Sequence, residues 1–127
     1  LKEQENFAEI QKVISRVIKL ANNGNMETSI LSSKGYVNPD LFEKKCESKV
    51  FKFINELEAL ISLPNWDYFK LFNLFENNTN NLNEMFDNDK GVLVMAEDAN
   101  KRNNRLNLLG LVRNYSLKIA DFTLLNS

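Results

Sequence analysis

Apolar positions recur at three- and four-residue steps over most of this chain, a spacing that predicts helices. Phe7, Ile10, Val13, Ile14, Val17, Ile18 and Ala21 share one face of a helix expected over residues 6–22. Asn22-Asn23-Gly24 is a suitable stop, with Gly24 free to take a left-handed conformation. Residues 25–37 have no period and read as a loop. Asn38 then stands where a cap belongs, Pro39 at a first helical position, and Asp40 against the positive helix end. A long helix is expected from there to about residue 63, ended by Pro64. Its inner stripe is Phe42, Cys46, Val50, Phe53, Ile54, Leu57 and Ile61, and Lys45, Lys49 and Lys52 share its outer side.

The second half continues the pattern less regularly. Asn65 is the expected cap of a helix, WDYFKLFNLFEN, so rich in aromatics (Trp66, Tyr68, Phe69, Phe72, Phe75) that burial on several sides is predicted. NNTNN, residues 77–81, reads as a polar loop, and residues 82–86 as an added helical turn. DNDKG, residues 87–91, is turn chemistry. VLVMA, residues 92–96, is expected as a buried extended segment or the lead-in to a last helix starting near Glu97 or Asp98. Leu108, Val112, Tyr115, Ile119 and Phe122 follow at steps of four, three, four and three, a packing seam that Leu106 and Leu109 widen. Together these elements predict an all-α bundle of about four to five helices, one domain over residues 1–127 with no internal repeat or linker.

Composition narrows the function classes. With 127 residues and 43% hydrophobic content the chain can bury a single core. A net charge of -1 gives no global signal for nucleic acid, so any polyanion site must be local. One Cys and no His exclude an internal disulfide framework, a Cys/His zinc site and a His-based triad. A lone Cys also fits a reducing compartment, so a cytoplasmic location is expected. No apolar run nears the roughly 18 residues of a membrane span and no signal-peptide pattern is present, so no membrane partner is expected. The chain starts with Leu1, as expected for a piece of something longer. Its 20 asparagines receive little functional weight, because an AT-rich genome produces the same excess.

Catalytic constellations are missing from the sequence: no phosphate-cradling glycine loop, no Gly-x-Ser-x-Gly turn, no metal cluster. The acid pairs Glu56 and Glu58, and Glu97 and Asp98, read as solvated surface, and Cys46 as a small buried hydrophobe. Local charge is more informative. Lys101, Arg102, Arg105, Arg113 and Lys118 fall within residues 99–118, where no acid falls. Arg102, Asn103, Asn104 and Arg105 lie within about one helical turn. Arg can hold phosphates or stack on an unpaired base, and Asn can pair with a base edge. The competing reading is a solvated or structural face, with Arg105 at the bundle edge paired to an acid such as Glu9 or Asp87. The stripe of Lys45, Lys49 and Lys52 reads as plain solvated surface.

The segment VLVMAEDANKRNNRLNLLGLVRNYSLKIADFTLL, residues 92–125, resembles the C-terminal end of the beta subunit of bacterial glycyl-tRNA synthetase. That family ends in a Phe-Asp, a short apolar run, and a pattern close to VMVMAEDEALRNNRLALL followed by LRxLFLxVADISLL. The matching residues are Phe86-Asp87, residues 92–98, Arg102-Asn103-Asn104-Arg105-Leu106 and Ile119-Ala120-Asp121-Phe122. Upstream, SRVIKL resembles the family's KRVxNI, keeping Arg16 and Val17, and NPDLFE and NWDYFK follow in the expected order. Departures are Lys101 in place of the Leu of the DALR signature, an insertion at residues 88–91, and Ser15 and Lys19 in place of the usual Lys and Asn.

The resemblance implies a DALR-type anticodon-binding domain, a C-terminal fragment of a longer beta subunit. The parent enzyme joins glycine to its tRNA with ATP and Mg²⁺, as a tetramer of two alpha and two beta chains whose aminoacylation site is on the alpha subunit. This fragment would then carry recognition, with no catalytic residue, metal or cofactor of its own. Its partners would be the anticodon stem-loop of tRNA-Gly and the alpha subunit. Candidate RNA-binding residues are Arg102, Asn103, Asn104 and Arg105, with Lys101 and Arg16. The alternative is a protein-interaction bundle that docks the synthetase subunits through the aromatic helix at 66–75, without touching the anticodon.

Overall fold

The computed structural model describes the backbone of residues 2–119 and the side chains of residues 7–119. Among the described residues there are five α-helices and no strand: α1 (Lys2–Ala21), α2 (Lys45–Ile61), α3 (Tyr68–Asn77), α4 (Thr79–Glu84) and α5 (Ala99–Ser116). The all-α bundle predicted from periodicity is observed. α5 packs along α1 and across α2, while α3 and α4 close the bundle over α1 and α2. The seam of α5 is buried at Leu108, Val112, Tyr115 and Ile119, and Leu106 and Leu109 join it. Phe122 lies outside the described residues.

α1 ends where expected, by a different device. Asn23 Nδ2 donates to the carbonyls of Lys19 (3.3 Å) and Leu20 (3.2 Å), satisfying groups the helix leaves open. Gly24 is not left-handed; the positive φ, 84°, belongs to Gly35. Gly24 supplies room instead, since a Cβ there would sit 3.2 Å from the Cβ of Leu106 on α5.

The single helix expected from 39 to 63 is broken in two. Asn38 does cap, accepting the Asp40 N–H at 3.0 Å, but only the 3-10 turn Pro39–Leu41 follows. Phe42 is extended (φ −69°, ψ 135°), and α2 starts at Lys45. The cause is Glu47, whose Oε1 accepts the N–H groups of Glu43 (2.8 Å) and Lys44 (3.1 Å) and so provides a new helix start. That carboxylate is fully buried, and a buried charge requires a cation nearby. The inner stripe of α2 is buried from Cys46 to Leu57 as predicted, with Phe42 and Ile61 half-buried.

α3 departs from the sequence expectation in three ways. Its cap is Asp67, which accepts the Lys70 N–H at 2.8 Å, not Asn65. It is also one-sided. Phe75 is buried edge-on against Phe53 of α2 at 5.1 Å, but Phe69 is 75% exposed and Tyr68 is exposed as well. Finally, residues 77–81 are not a loop. Asn78 Nδ2 donates to Leu74 O (2.9 Å) and the Thr79 hydroxyl to Phe75 O (3.0 Å), so α4 follows α3 almost directly. Short polar side chains bond the nearby backbone here, which low complexity alone does not reveal.

The DNDKG turn is present: Asp87 Oδ2 accepts the N–H groups of Asp89 (3.0 Å) and Lys90 (2.8 Å). Only glycine fits at Gly91, where a Cβ would lie 2.5 Å from the carbonyls of Asp87 and Met85. The 92–96 segment is a lead-in rather than a buried one. Val94 is buried, but Leu93 is 71% exposed and Met95 is exposed too.

Candidate functional site

The basic, Asn-rich start of α5 is organised from its cap. Asp98 accepts the Lys101 N–H at 3.0 Å, a bond that holds the Asp98 carboxyl below its ordinary range. The side chains that follow divide into inward and outward groups.

Arg102 folds back, donating from NH1 to the carbonyl of Ala96 at 2.9 Å. Asn104 is buried and clamps the main chain of Asn38 from both sides, accepting its N–H (2.7 Å) and donating to its carbonyl (3.0 Å). Arg105 is only 4% exposed. It donates to Leu93 O (2.8 Å) and to Glu43 Oε1 (2.6 Å), and its Nε lies 3.5 Å from Glu47 Oε2. The acids expected for Arg105 were Glu9 or Asp87; its partners are Glu43 and Glu47, brought under α5 by the break before α2. Lys101 Nζ reaches the other oxygen of Glu43 at 3.2 Å, and this bond, then that of Arg105, holds the Glu43 carboxyl low.

Two candidates face outward. Asn103 is exposed and makes no side-chain hydrogen bond among the described residues. Arg16 is exposed on α1, its guanidinium carbon 4.6 Å from the centre of the Phe86 ring. It lines a groove with Glu43, Lys44 and Arg105, so α1 and α5 meet there.

A second, shallow groove runs along the outer side of α5, with Asn100, Asn103, Asn104 and Asn107 on one wall and Tyr36, Asn38 and Leu41 on the other. Asn107 Nδ2 fixes the Tyr36 carbonyl at 2.8 Å, while the Tyr36 ring stays 41% exposed. The groove thus offers a half-exposed aromatic face and the free amides of Asn100 and Asn103. Asn100, Asn107 and Tyr36 were not among the sequence candidates. The signal was present: Asn at 100, 103, 104 and 107 repeats at helical steps and so lies on one face.

α5 does structural work farther along as well. Arg113 is buried and donates to Asn22 Oδ1 (3.1 Å) and Met26 O (2.8 Å). Asn114 Nδ2 donates to the carbonyls of Glu27 (2.8 Å) and Ile30 (2.7 Å), and the Tyr115 hydroxyl to that of Leu31. The aperiodic loop 22–38 is thereby fastened to α5 at each turn, which holds Tyr36 against the groove.

Cys46 is buried, and desolvation followed by the Glu47 charge pushes its thiol up, away from reactivity. Among the described residues no cluster of acids, Cys or His could hold a metal ion. No described helix is long and apolar enough to cross a membrane.

The arrangement therefore defines a small helical bundle with a polar, amide-lined groove along its last helix. No family model matches the chain, and no solved structure matches it significantly. Curated relatives do. The chain is 37% identical over 115 residues to the glycine–tRNA ligase beta subunit of Acaryochloris marina, covering 89% of this chain and 16% of that one. It is 36% identical over 124 residues to the same subunit of Picosynechococcus, covering 96% of this chain and 17% of that one. The Moorella thermoacetica subunit is 31% identical over 124 residues, again 96% of this chain and 16% of its own length. The chain spans about one sixth of the length of the curated relatives it matches.

Proposed function

We propose that the chain is the tRNA-recognising part of a glycine–tRNA ligase beta subunit, a DALR-type domain that engages the anticodon stem-loop of tRNA-Gly. Similarity to such subunits over almost its whole length supports the parent. The observation that carries recognition is the groove, where the unpartnered amides of Asn100 and Asn103 stand across from the exposed Tyr36 ring. Unpaired bases stack on aromatic faces and are read at their edges by such amides. Asn103 is the base-facing member of the sequence candidates, while Lys101 pairs with Glu43 on another side of α5. Arg102, Asn104 and Arg105 position that surface from below. In this reading ATP, Mg²⁺ and the aminoacylation site belong to the alpha subunit of a cytoplasmic tetramer, and the role of this chain is to place the tRNA.

Electrophoretic shift with tRNA-Gly, and with a tRNA-Gly of altered anticodon, tests the proposal. The chain should prefer the native anticodon, and Asn103→Ala should erase the preference while leaving thermal stability unchanged. Equal binding of both tRNAs by the unaltered chain would refute anticodon reading.

A second reading rests on the exposed Leu63, Tyr68 and Phe69 around the start of α3. Apolar side chains of this size suit docking against another part of the synthetase. Capture of the alpha subunit that is lost in Phe69→Ser, with no shift of any tRNA, would favour it.

A further inference from the structure

α1 presents a charged face outside the core and outside the amide-lined groove of α5. Lys12, Arg16 and Lys19 fall at steps of four and three, within an arc of about 60° and two helical turns. All three are exposed, and with Ala8, Gln11 and Ser15 they line a shallow groove. Ion pairs among the described residues lie elsewhere, at Lys49–Glu84, Lys101–Glu43 and Arg105 with Glu43 and Glu47. Glu9, exposed on the same helix, forms none with the three cations. Arg16 lies over the Phe86 ring, which steadies its plane and leaves its N–H donors unspent among the described residues.

We propose that this face of α1 is a phosphate track that seats the sugar–phosphate backbone of the bound RNA. The proposal rests on the RNA-binding reading above and adds a second, sequence-blind contact to it. The partner follows from what the face contains. Three cations in a net-acidic chain call for a polyanion. The groove holds no aromatic or large aliphatic side chain, so it lacks the buried anchor of a protein interface and the apolar wedge of a membrane-surface helix. Backbone contacts fix register without reading sequence, which suits a surface beside a base-reading groove.

The test is the salt dependence of tRNA-Gly binding, by fluorescence anisotropy between 50 and 300 mM salt, for the chain and its Lys12→Ala/Lys19→Ala double variant. Both residues are exposed, so the far-UV spectrum and melting midpoint should not change. Losing two phosphate contacts should lower the log–log salt slope by about 1.5 and weaken binding about tenfold at 200 mM salt. The loss should be equal for native and altered anticodons. An unchanged slope would overturn the proposal, as would a loss confined to the native anticodon, binding of polyglutamate as tight as that of RNA, or no RNA binding by the unaltered chain at 50 mM salt. Asn103→Ala separates this from the anticodon reading. If it has no effect while the double variant loses slope, base reading fails and the track stands; the converse result removes the track alone.

Discussion

The cations of α5 and those of α1 look alike in composition and behave oppositely in the fold. Arg102, Arg105 and Arg113 direct their donors to main-chain carbonyls at 96, 93 and 26, and Arg105 also to the exposed Glu43 and the buried Glu47. Lys12, Arg16 and Lys19 meet no carboxylate among the described residues. The difference lies in the neighbouring backbone. α5 is flanked by two segments without regular structure, 22–38 and 92–97, whose carbonyls have no helical partner and must be satisfied. Arginine, with five fixed donors, is suited to do so. α1 packs on α3, α4 and α5; Lys12 and Lys19 stay in water, and Arg16 lies over the Phe86 ring rather than on a main-chain carbonyl. A local concentration of arginine therefore marks irregular backbone as readily as it marks an RNA surface.

The largest effect that would break this comparison is at Arg105. Arg105→Ala leaves the fully buried Glu47 carboxylate without its cation and the Leu93 carbonyl without a donor. Removing one member of a buried pair costs about 3–5 kcal/mol. Lys12→Ala, on an exposed helix face, should stay within about 0.5 kcal/mol. Urea unfolding measures both. Equal costs would mean that Arg105 does not lock the bundle and would return it to the RNA-facing candidates.

A smaller effect is expected where α5 holds the loop. Asn114→Ala deprives two carbonyls, Glu27 and Ile30, of their donor, and should destabilise by about 1–3 kcal/mol. Hydrogen exchange should rise in residues 22–38 more than in α2. Uniform exchange across the chain would show that the loop does not depend on this fastening.

How much of this was legible in the sequence differs by region. The apolar seams of α1, α2 and α5 were, because period alone decides which side of a helix is buried. The break before α2 was not: a well-formed cap at Asn38 gave no hint that Glu47, nine residues on, would supply a second one and draw Arg105 over it. NNTNN failed as a loop because Asn78 and Thr79 bond back to α3. Within the site, the candidates at 101–105 were correctly gathered into one turn, yet a sequence cannot show which face of that turn points inward. Asn103 and Asn104 are chain neighbours of the same residue type, one open to solvent and one clamped on Asn38. The Asn repeat at 100, 103 and 107 could have found the groove had it been read as a helical face rather than as composition.

The finest distinction between the two regions is in acid. The α5 end depends on carboxylates held low: Asp98 by backbone N–H groups, below its ordinary 3.8, and Glu43 by Lys101 and Arg105, below its ordinary 4.5. A depressed folded pKa means that the unfolded chain binds protons first on acidification. The stabilisation is thus complete above the unfolded values and is lost as pH falls through the folded ones, so stability should decline below about pH 4. Asp98→Asn keeps an oxygen to cap α5 but cannot titrate. It should be somewhat less stable than the unaltered chain at pH 7, where the charge contributes, and lose less stability between pH 4 and pH 2. Lys12→Ala/Lys19→Ala, which touches no carboxylate among the described residues, should leave the acid limb where it is. Denaturant midpoints taken across that range compare all three. Superimposable acid limbs for the unaltered chain and Asp98→Asn would mean that the cap's charge contributes nothing and that the start of α5 is held by its arginines alone.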